Sequence, residues 1–392
     1  MLAAGFCFGN AHAEDDAVGA SDAAIKLAQE SIIMDGHIDV PYRVNIKWAD
    51  VSRKTEKGDF DYPRAKAGGL NGPFMSIYVP AILAETIAST STAHKLIDYV
   101  EAIVGRAPDK FAIATSPDDI EAHFAKGLIS LPMGMENGSP IRGDLANLKD
   151  FYDRGIRYIT LTHSKSNHIS DSSYDDNKQW GGLSPFGKEL VLEMNKMGIM
   201  VDISHVSDDA FYDAVKISKA PMIASHSSLR HFTPGFERNM SDDMVKALAK
   251  NGGVIMINFG STFLTAEARK WSDTRSELRK PIEEKYGSDS QEYKDFNKQY
   301  REENPLPFAV LKHAIEHIDY AVKLVGVDHV ALGSDYDGVG DSLPVGLKDV
   351  STFPNLIQGL LDLEYSEADI KKILGGNTLR VWRDVEEVAA SY

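Results

Sequence analysis

The chain has 392 residues, 43% of them hydrophobic and 26% charged, a composition that can bury a large core and is unlike that of a disordered chain. A formal net charge of −16 argues against a nucleic-acid partner, because phosphate binding needs clustered Lys and Arg. Length by itself is compatible with more than one domain, but α/β barrels of this size fold as one.

The only cysteine, Cys7, lies in an apolar opening stretch that ends Ala11-His12-Ala13 and reads as the end of a secretory signal. On that reading residues 1–13 are a leader remnant, residues 14–392 form a single domain, and the mature protein is periplasmic or secreted. It then has no thiolate ligand, cysteine nucleophile or disulfide. No later apolar run approaches the length of a membrane span.

From there short apolar runs alternate with segments of helical period. Strands are expected over residues 31–38, 73–79, 128–135, 157–162, 198–203, 221–224, 253–258 and 329–333. Runs such as Val254-Ile255-Met256-Ile257 are apolar throughout, as in strands buried on both faces. Ser184-Pro185 opens a helix, and Ser207 and Ser241 are placed to cap helices over 208–217 and 242–249. A longer amphipathic helix is expected over 308–325, and Ser366 and Asn377 are placed to cap the last two. Residues 80–127 read as a mostly helical excursion. Residues 261–306, dense in mixed charge, read as a helical insertion after the seventh strand. Alternation of strand and helix implies a mostly parallel sheet. Eight strands favour a closed (β/α)₈ TIM barrel, with an open doubly wound sheet as the alternative.

Chemistry-bearing residues recur where these strands end. The first strand leads into Asp35-Gly36-His37-Ile38-Asp39, and in an extended chain His37 and Asp39 point to one side, as two ligands of one cation would. The third runs into Glu136 among glycines, a carboxylate costly to bury without a cation and able to bridge two metals. His163, His205 and His226 follow the fourth, fifth and sixth strands, and Asp335 follows the eighth. Active sites of barrels draw on several strand ends at the C-terminal face. Nitrogen and oxygen donors without sulfur suit Zn²⁺, with Mn²⁺, Co²⁺ and Fe²⁺ also admissible. His313 and His317, four apart on a helix, lack a third ligand and read as surface or packing residues.

These segments, together with Arg157-Tyr158-Ile159-Thr160-Leu161-Thr162-His163, Asp202-Ile203-Ser204-His205, Ser225-His226-Ser227-Ser228, Arg238-Asn239 and Ser334-Asp335-Tyr336-Asp337-Gly338, resemble the renal (membrane) dipeptidase family of binuclear zinc peptidases. The likeness runs in the family's order from about residue 30 to about residue 385. It implies two divalent metals, Zn²⁺ foremost. His37 and Asp39 would hold one, His205 and His226 the other, and Glu136 would bridge them. It further implies Asp335 as the general acid/base, His163 as the oxyanion donor and Arg238 as the partner of the substrate's C-terminal carboxylate. The implied reaction is attack of a metal-bridging hydroxide on a dipeptide, including one with a C-terminal D-residue, and the implied assembly is a homodimer. The chain departs from the family's mammalian members in Asn137-Gly138-Ser139 after Glu136 and in the 261–306 segment. Two other readings keep less of this picture. One is a binuclear amidohydrolase of N-acyl amino acids or cyclic amides, and the other a non-catalytic binding protein on the same barrel.

Overall fold

The computed structural model describes residues 19–84 and 86–392, so the leader expected over residues 1–13 lies outside the described residues. Among the described residues ten strands form: β1 (Ile33–Ile38), β2 (Leu70–Tyr78), β3 (Phe111–Ile113), β4 (Ile129–Leu131), β5 (Met133–Glu136), β6 (Ile156–Thr160), β7 (Met200–Asp202), β8 (Ile223–Ala224), β9 (Val254–Ile257) and β10 (Val330–Leu332). Eight of them make one parallel sheet in the order β1-β2-β5-β6-β7-β8-β9-β10. The sheet closes on itself just past the ends of β1 and β10. There Ile38 bridges Tyr336, the Asp39 amide donates to the Tyr336 carbonyl at 2.9 Å, and the Asp335 amide donates to that of His37 at 3.1 Å. The architecture is therefore a (β/α)₈ barrel and not an open doubly wound sheet.

The strand expected over 128–135 divides at Pro132, which has no amide to donate to a ladder. Its first half, β4, pairs with β3 in a separate two-stranded sheet, and its second half, β5, enters the barrel beside β2. The excursion over 80–127 contains the helices Ile87–Arg106 and Pro117–Ala125 with β3 between them. Side chains of Ser184, Ser207 and Ser241 accept from the amides of Gly187, Ala210 and Met244, so each caps its helix as its position in the sequence implies. Ser366 does the same for Glu367–Lys371. Asn377 does not. The chain runs through a π-helical turn, Lys372–Gly376, into the helix Asn377–Ala389, and the Asn377 amide group instead donates to the carbonyls of Val327 and Val330. That fastens the last helix to the start of β10. From the same helix Trp382 packs on Phe74, and Phe74 on Tyr158, within a buried cluster that also holds Met34, Met200 and Met256.

The segment over 261–306 comprises the short helix Ser261–Leu264 and the two longer helices Ala266–Tyr286 and Gln291–Glu303, emerging past the end of β9. Among the described residues no helix is long and apolar enough to cross a membrane.

Candidate metal centre and active site

Each proposed ligand sits at or just beyond the C-terminal end of its strand, and the routes differ from simple alternation. His37 is still in β1, but a bulge in its pairing with β2 between Asp35 and Ile38 re-aims it. Asp39 has left the strand and occupies the N-cap position of the helix Val40–Ile46, so it meets His37 through a change of direction and not along an extended chain. Glu136 is the last residue of β5. His205 and Asp335 lie in turns at φ of 69° and 63°, a left-handed conformation unfavourable for residues with a Cβ and common at functional sites.

These residues converge. Glu136 Oε1 lies 3.1 Å from His205 Nε2, 3.2 Å from His226 Nε2 and 3.7 Å from His163 Nε2. Its Oε2 is 3.4 Å from His37 Nε2, which lies 3.5 Å from Asp39 Oδ2. Three overlapping groups, His37–Glu136–His226, Glu136–His163–His205 and His37–Asp39–Asp335, each place their ligand atoms within 4.8 Å of one another. Because they share His37 and Glu136, the seven side chains form one continuous basin. His313 and His317 do not join it. His317 is buried between the Leu229 amide and the Leu264 carbonyl, and His313 Nδ1 accepts from the Val310 amide.

The donors fit a cation. Ser225 Oγ gives its proton to Asp202 Oδ2 at 2.6 Å, so toward His226 Nδ1, 2.7 Å away, it can only accept. His226 is thereby held with its Nε2 lone pair facing Glu136, and Nε2 of His205 stands only 2.9 Å from it. Asp202 is in turn held by the Thr160 hydroxyl and by the amides of Ser204 and Ser225. On the other side Tyr158 Oη lies 2.8 Å from His37 Nδ1, leaving His37 Nε2 buried without a hydrogen-bond partner. Lone pairs aimed at a carboxylate in a buried space repel unless a positive charge sits among them.

Titration follows the same pattern. Burial pushes the carboxyl of Glu136 up, yet the imidazoles around it, His37 and His163 foremost, hold it well below its ordinary value. Burial, reinforced by Arg238 and neighbouring imidazoles, holds His205 and His226 well below theirs, so both imidazoles are neutral near pH 7. Asp335 goes the other way. Burial, with Asp39 and Glu136 nearby, pushes it up to about 8 against the pull of His37, while Asn258 Nδ2 donates to its Oδ2 at 2.8 Å.

Arg238 is 3% exposed and has no carboxylate within ion-pair distance among the described residues. Its Nη1 and Nη2 donate to Ser227 Oγ and the His226 carbonyl at 2.6 and 2.7 Å, its Nε has no partner, and its guanidinium lies 5.3 Å from the Phe263 ring.

Sequence reasoning assigned no role to the residues that support this set. In the sequence Tyr158 carries no motif of its own. It crosses the barrel because Gly134 opposite has no side chain, and a Cβ there would lie 2.0 Å from the Tyr158 ring. Gly338 serves the rim in the same way, since a Cβ would fall 2.1 Å from Asp335 Oδ1 and 2.2 Å from Asp39 Oδ2. Asp337 and Asp59 exchange amide-to-carboxylate bonds of 2.7 and 2.8 Å, and Arg43 Nε lies 2.9 Å from Asp337, which ties the loop after β1 to the one after β10.

A barrel that gathers imidazoles and carboxylates around one glutamate at its strand ends has the donor set of the metal-dependent hydrolases. The family model described as membrane dipeptidase, peptidase family M19, matches residues 21–392. The chain belongs to that family of peptide-bond hydrolases. It is 33% identical over 376 residues to Dipeptidase aclJ of Aspergillus oryzae, covering 92% of this chain and 79% of that protein. Among solved structures it resembles the probable dipeptidase PvdM of Pseudomonas aeruginosa, with a TM-score of 0.81 at 27% identity, over 94% of this chain and 98% of that one. A metallopeptidase of Rhodobacter sphaeroides, solved with a phosphinate mimic of the dipeptide L-Ala-D-Ala, shares the fold with a TM-score of 0.75 at 23% identity, over 91% of this chain and 100% of that one.

Proposed function

We propose that the protein hydrolyses dipeptides at this basin with two divalent cations, Zn²⁺ foremost. His37 and Asp39 would hold one ion, His205 and His226 the other, with Glu136 shared between them. Bound there, such ions polarise the scissile carbonyl and ionise water near neutral pH. The chain's own side chains supply the rest. Asp335, kept ionised once a cation sits beside it and Asp39, takes a proton from the attacking water and returns it to the leaving amine, so the peptide bond breaks with no net proton change at the site. Asn258 holds the Asp335 oxygen that faces it, which fixes the direction of that transfer. His163, with Nε2 toward the basin and Nδ1 without a partner, donates to the carbonyl oxygen as charge develops there. Arg238 pairs with the substrate's C-terminal carboxylate.

The observation that carries this reading is a buried, carboxylate-free guanidinium beside a basin of converging lone pairs. From the resemblance the protein is expected to accept a D-residue at the C-terminal position. The test is hydrolysis of L-Ala-L-Ala, L-Ala-D-Ala and N-acetyl-L-alanine before chelation, after it, and after Zn²⁺ is restored. The proposal expects metal-dependent cleavage of both dipeptides. Cleavage of N-acetylalanine alone would favour the N-acyl amino acid reading.

A further inference from the structure

The basin is only the floor of a cavity of about 1370 Å³. Pockets for drug-sized ligands span about 300–1,000 Å³, and a dipeptide is smaller than such ligands. The remaining space is an outer chamber walled by residues 46–57 after β1, residues 338–342 after β10, and the helical segment over 261–306, which contributes Trp271, Arg275 and Arg301.

In a chain of net charge −16 the charge on this wall is unusual. Lys47, Lys54, Lys57, Arg275 and Arg301 all line it, and none has a carboxylate within ion-pair distance among the described residues. Four carboxylates beyond the basin share the space, those of Asp50, Glu56, Asp337 and Asp341; Asp50 is already engaged by Ser52 and Arg53, and Asp337 by Arg43. Arg275 donates to Asn297 Oδ1 at 2.6 Å and lies 5.6 Å from the Trp271 ring, while its Nε is buried without a partner. Burial foremost, and then the neighbouring cations Arg301 and Arg279, depress its pKa. Cations left without a counter-ion inside a cleft attract ligands of the other sign.

The direction a substrate would take into this space follows from Arg238. That residue is fixed on the β8 side, against the His226 carbonyl and Ser227. Arg238 itself does not line the chamber, which meets the basin at Asp39, Asp335 and Gly338. A dipeptide whose carboxylate meets Arg238 therefore turns its N-terminal residue toward the chamber. We propose that the outer chamber binds an acid-bearing arm on the substrate's N-terminal residue, with Arg275 and Arg301 as its anchoring cations. This inference rests on the dipeptidase reading and narrows its substrate class.

Three peptides test it on the metal-loaded full chain: Ala-Ala, Nε-acetyl-Lys-Ala and Nε-succinyl-Lys-Ala, the last two alike in reach and different in terminal charge. The expected kcat/KM for the succinyl peptide exceeds that for the acetyl peptide by about tenfold at low ionic strength, mainly through KM, and the ratio shrinks as salt is added. In the double variant Arg275→Gln/Arg301→Gln the ratio, measured within that variant, falls toward one. A ratio near one in the unaltered protein, or one unchanged in the double variant, overturns the assignment of the chamber while leaving the dipeptidase reading intact. No turnover of any peptide overturns both.

Discussion

On the floor of the cavity His226 is held by Ser225 and Asp202, His37 by Tyr158, and Asp335 by Asn258. A few residues outward, Lys47, Lys54, Lys57 and Arg301 line the same space with no ion-pair partner among the described residues. The floor is made of strand ends and their hydrogen-bonded supports, and the chamber is made of connecting segments. Chemistry that tolerates little displacement is placed on the rigid part, and selection among substrates falls to the part that can vary. Substitutions on the floor should therefore act on turnover or metal affinity, and those further out on substrate preference.

The largest effect expected from a change on the floor is at Asp335. Asp335→Asn keeps an oxygen for Asn258 but removes the proton acceptor, and steady-state kinetics should show kcat lowered by about 10²–10⁴-fold. Near-normal kcat would remove Asp335 from the reaction. Arg238→Ala comes next. It should raise KM for dipeptides by about a hundredfold with a smaller change in kcat, the signature of lost carboxylate binding. A loss of kcat at unchanged KM would instead make Arg238 part of the scaffold under His226.

Ser225→Ala sharpens the contrast further, because Ser225 is fully buried between Asp202 and His226. Removing the link between Asp202 and His226 should weaken metal affinity by about tenfold or more, read by competition with a chelating dye, while excess metal restores turnover. A turnover defect that excess metal does not repair would contradict a role through His226 alone.

The smallest effect concerns stability of the chelated protein. The folded-state pKa of Asp335, about 8, lies above its ordinary value of 3.8, so the folded state binds this proton more tightly than the unfolded state. Its contribution to stability is present at low pH and lost as pH rises from about 4 to about 8. In metal-free protein, Asp335→Asn should gain in melting temperature over the unaltered chain across that window and level off above it. A difference independent of pH would show that burial of the carboxyl is not the cause.

Much of the floor could be read from the sequence, because strand ends carry local signals. An apolar run followed by His, Asp or Glu recurs at His37, Glu136, His163, His205, His226 and Asp335, and serine caps mark the helices that follow. Where local signals misled, a longer-range constraint prevailed. Asp39 joins His37 through a bulge and a helix start, Pro132 divides one apolar run between two sheets, and Asn377 spends its side chain on carbonyls near β10 instead of capping. The supports of the site were hidden for the same reason. Tyr158 meets His37 across 121 residues and depends on the missing side chain of Gly134, and no pattern in either segment signals the pairing. The chamber is harder still, since Arg275 and Arg301 stand on helices whose sequence reads equally as a substrate-side segment at the barrel's C-terminal face and as a solvated, charged hairpin.

The account turns on Glu136 as the shared ligand of a two-ion basin. The most direct measurement is metal content by elemental analysis beside L-Ala-L-Ala turnover, in the unaltered chain and in Glu136→Gln. The account predicts two divalent ions per chain in the first, and fewer ions with turnover lost by orders of magnitude in the second. Full turnover in Glu136→Gln, or a protein that binds no metal in metal-replete buffer yet cleaves the peptide, would contradict it.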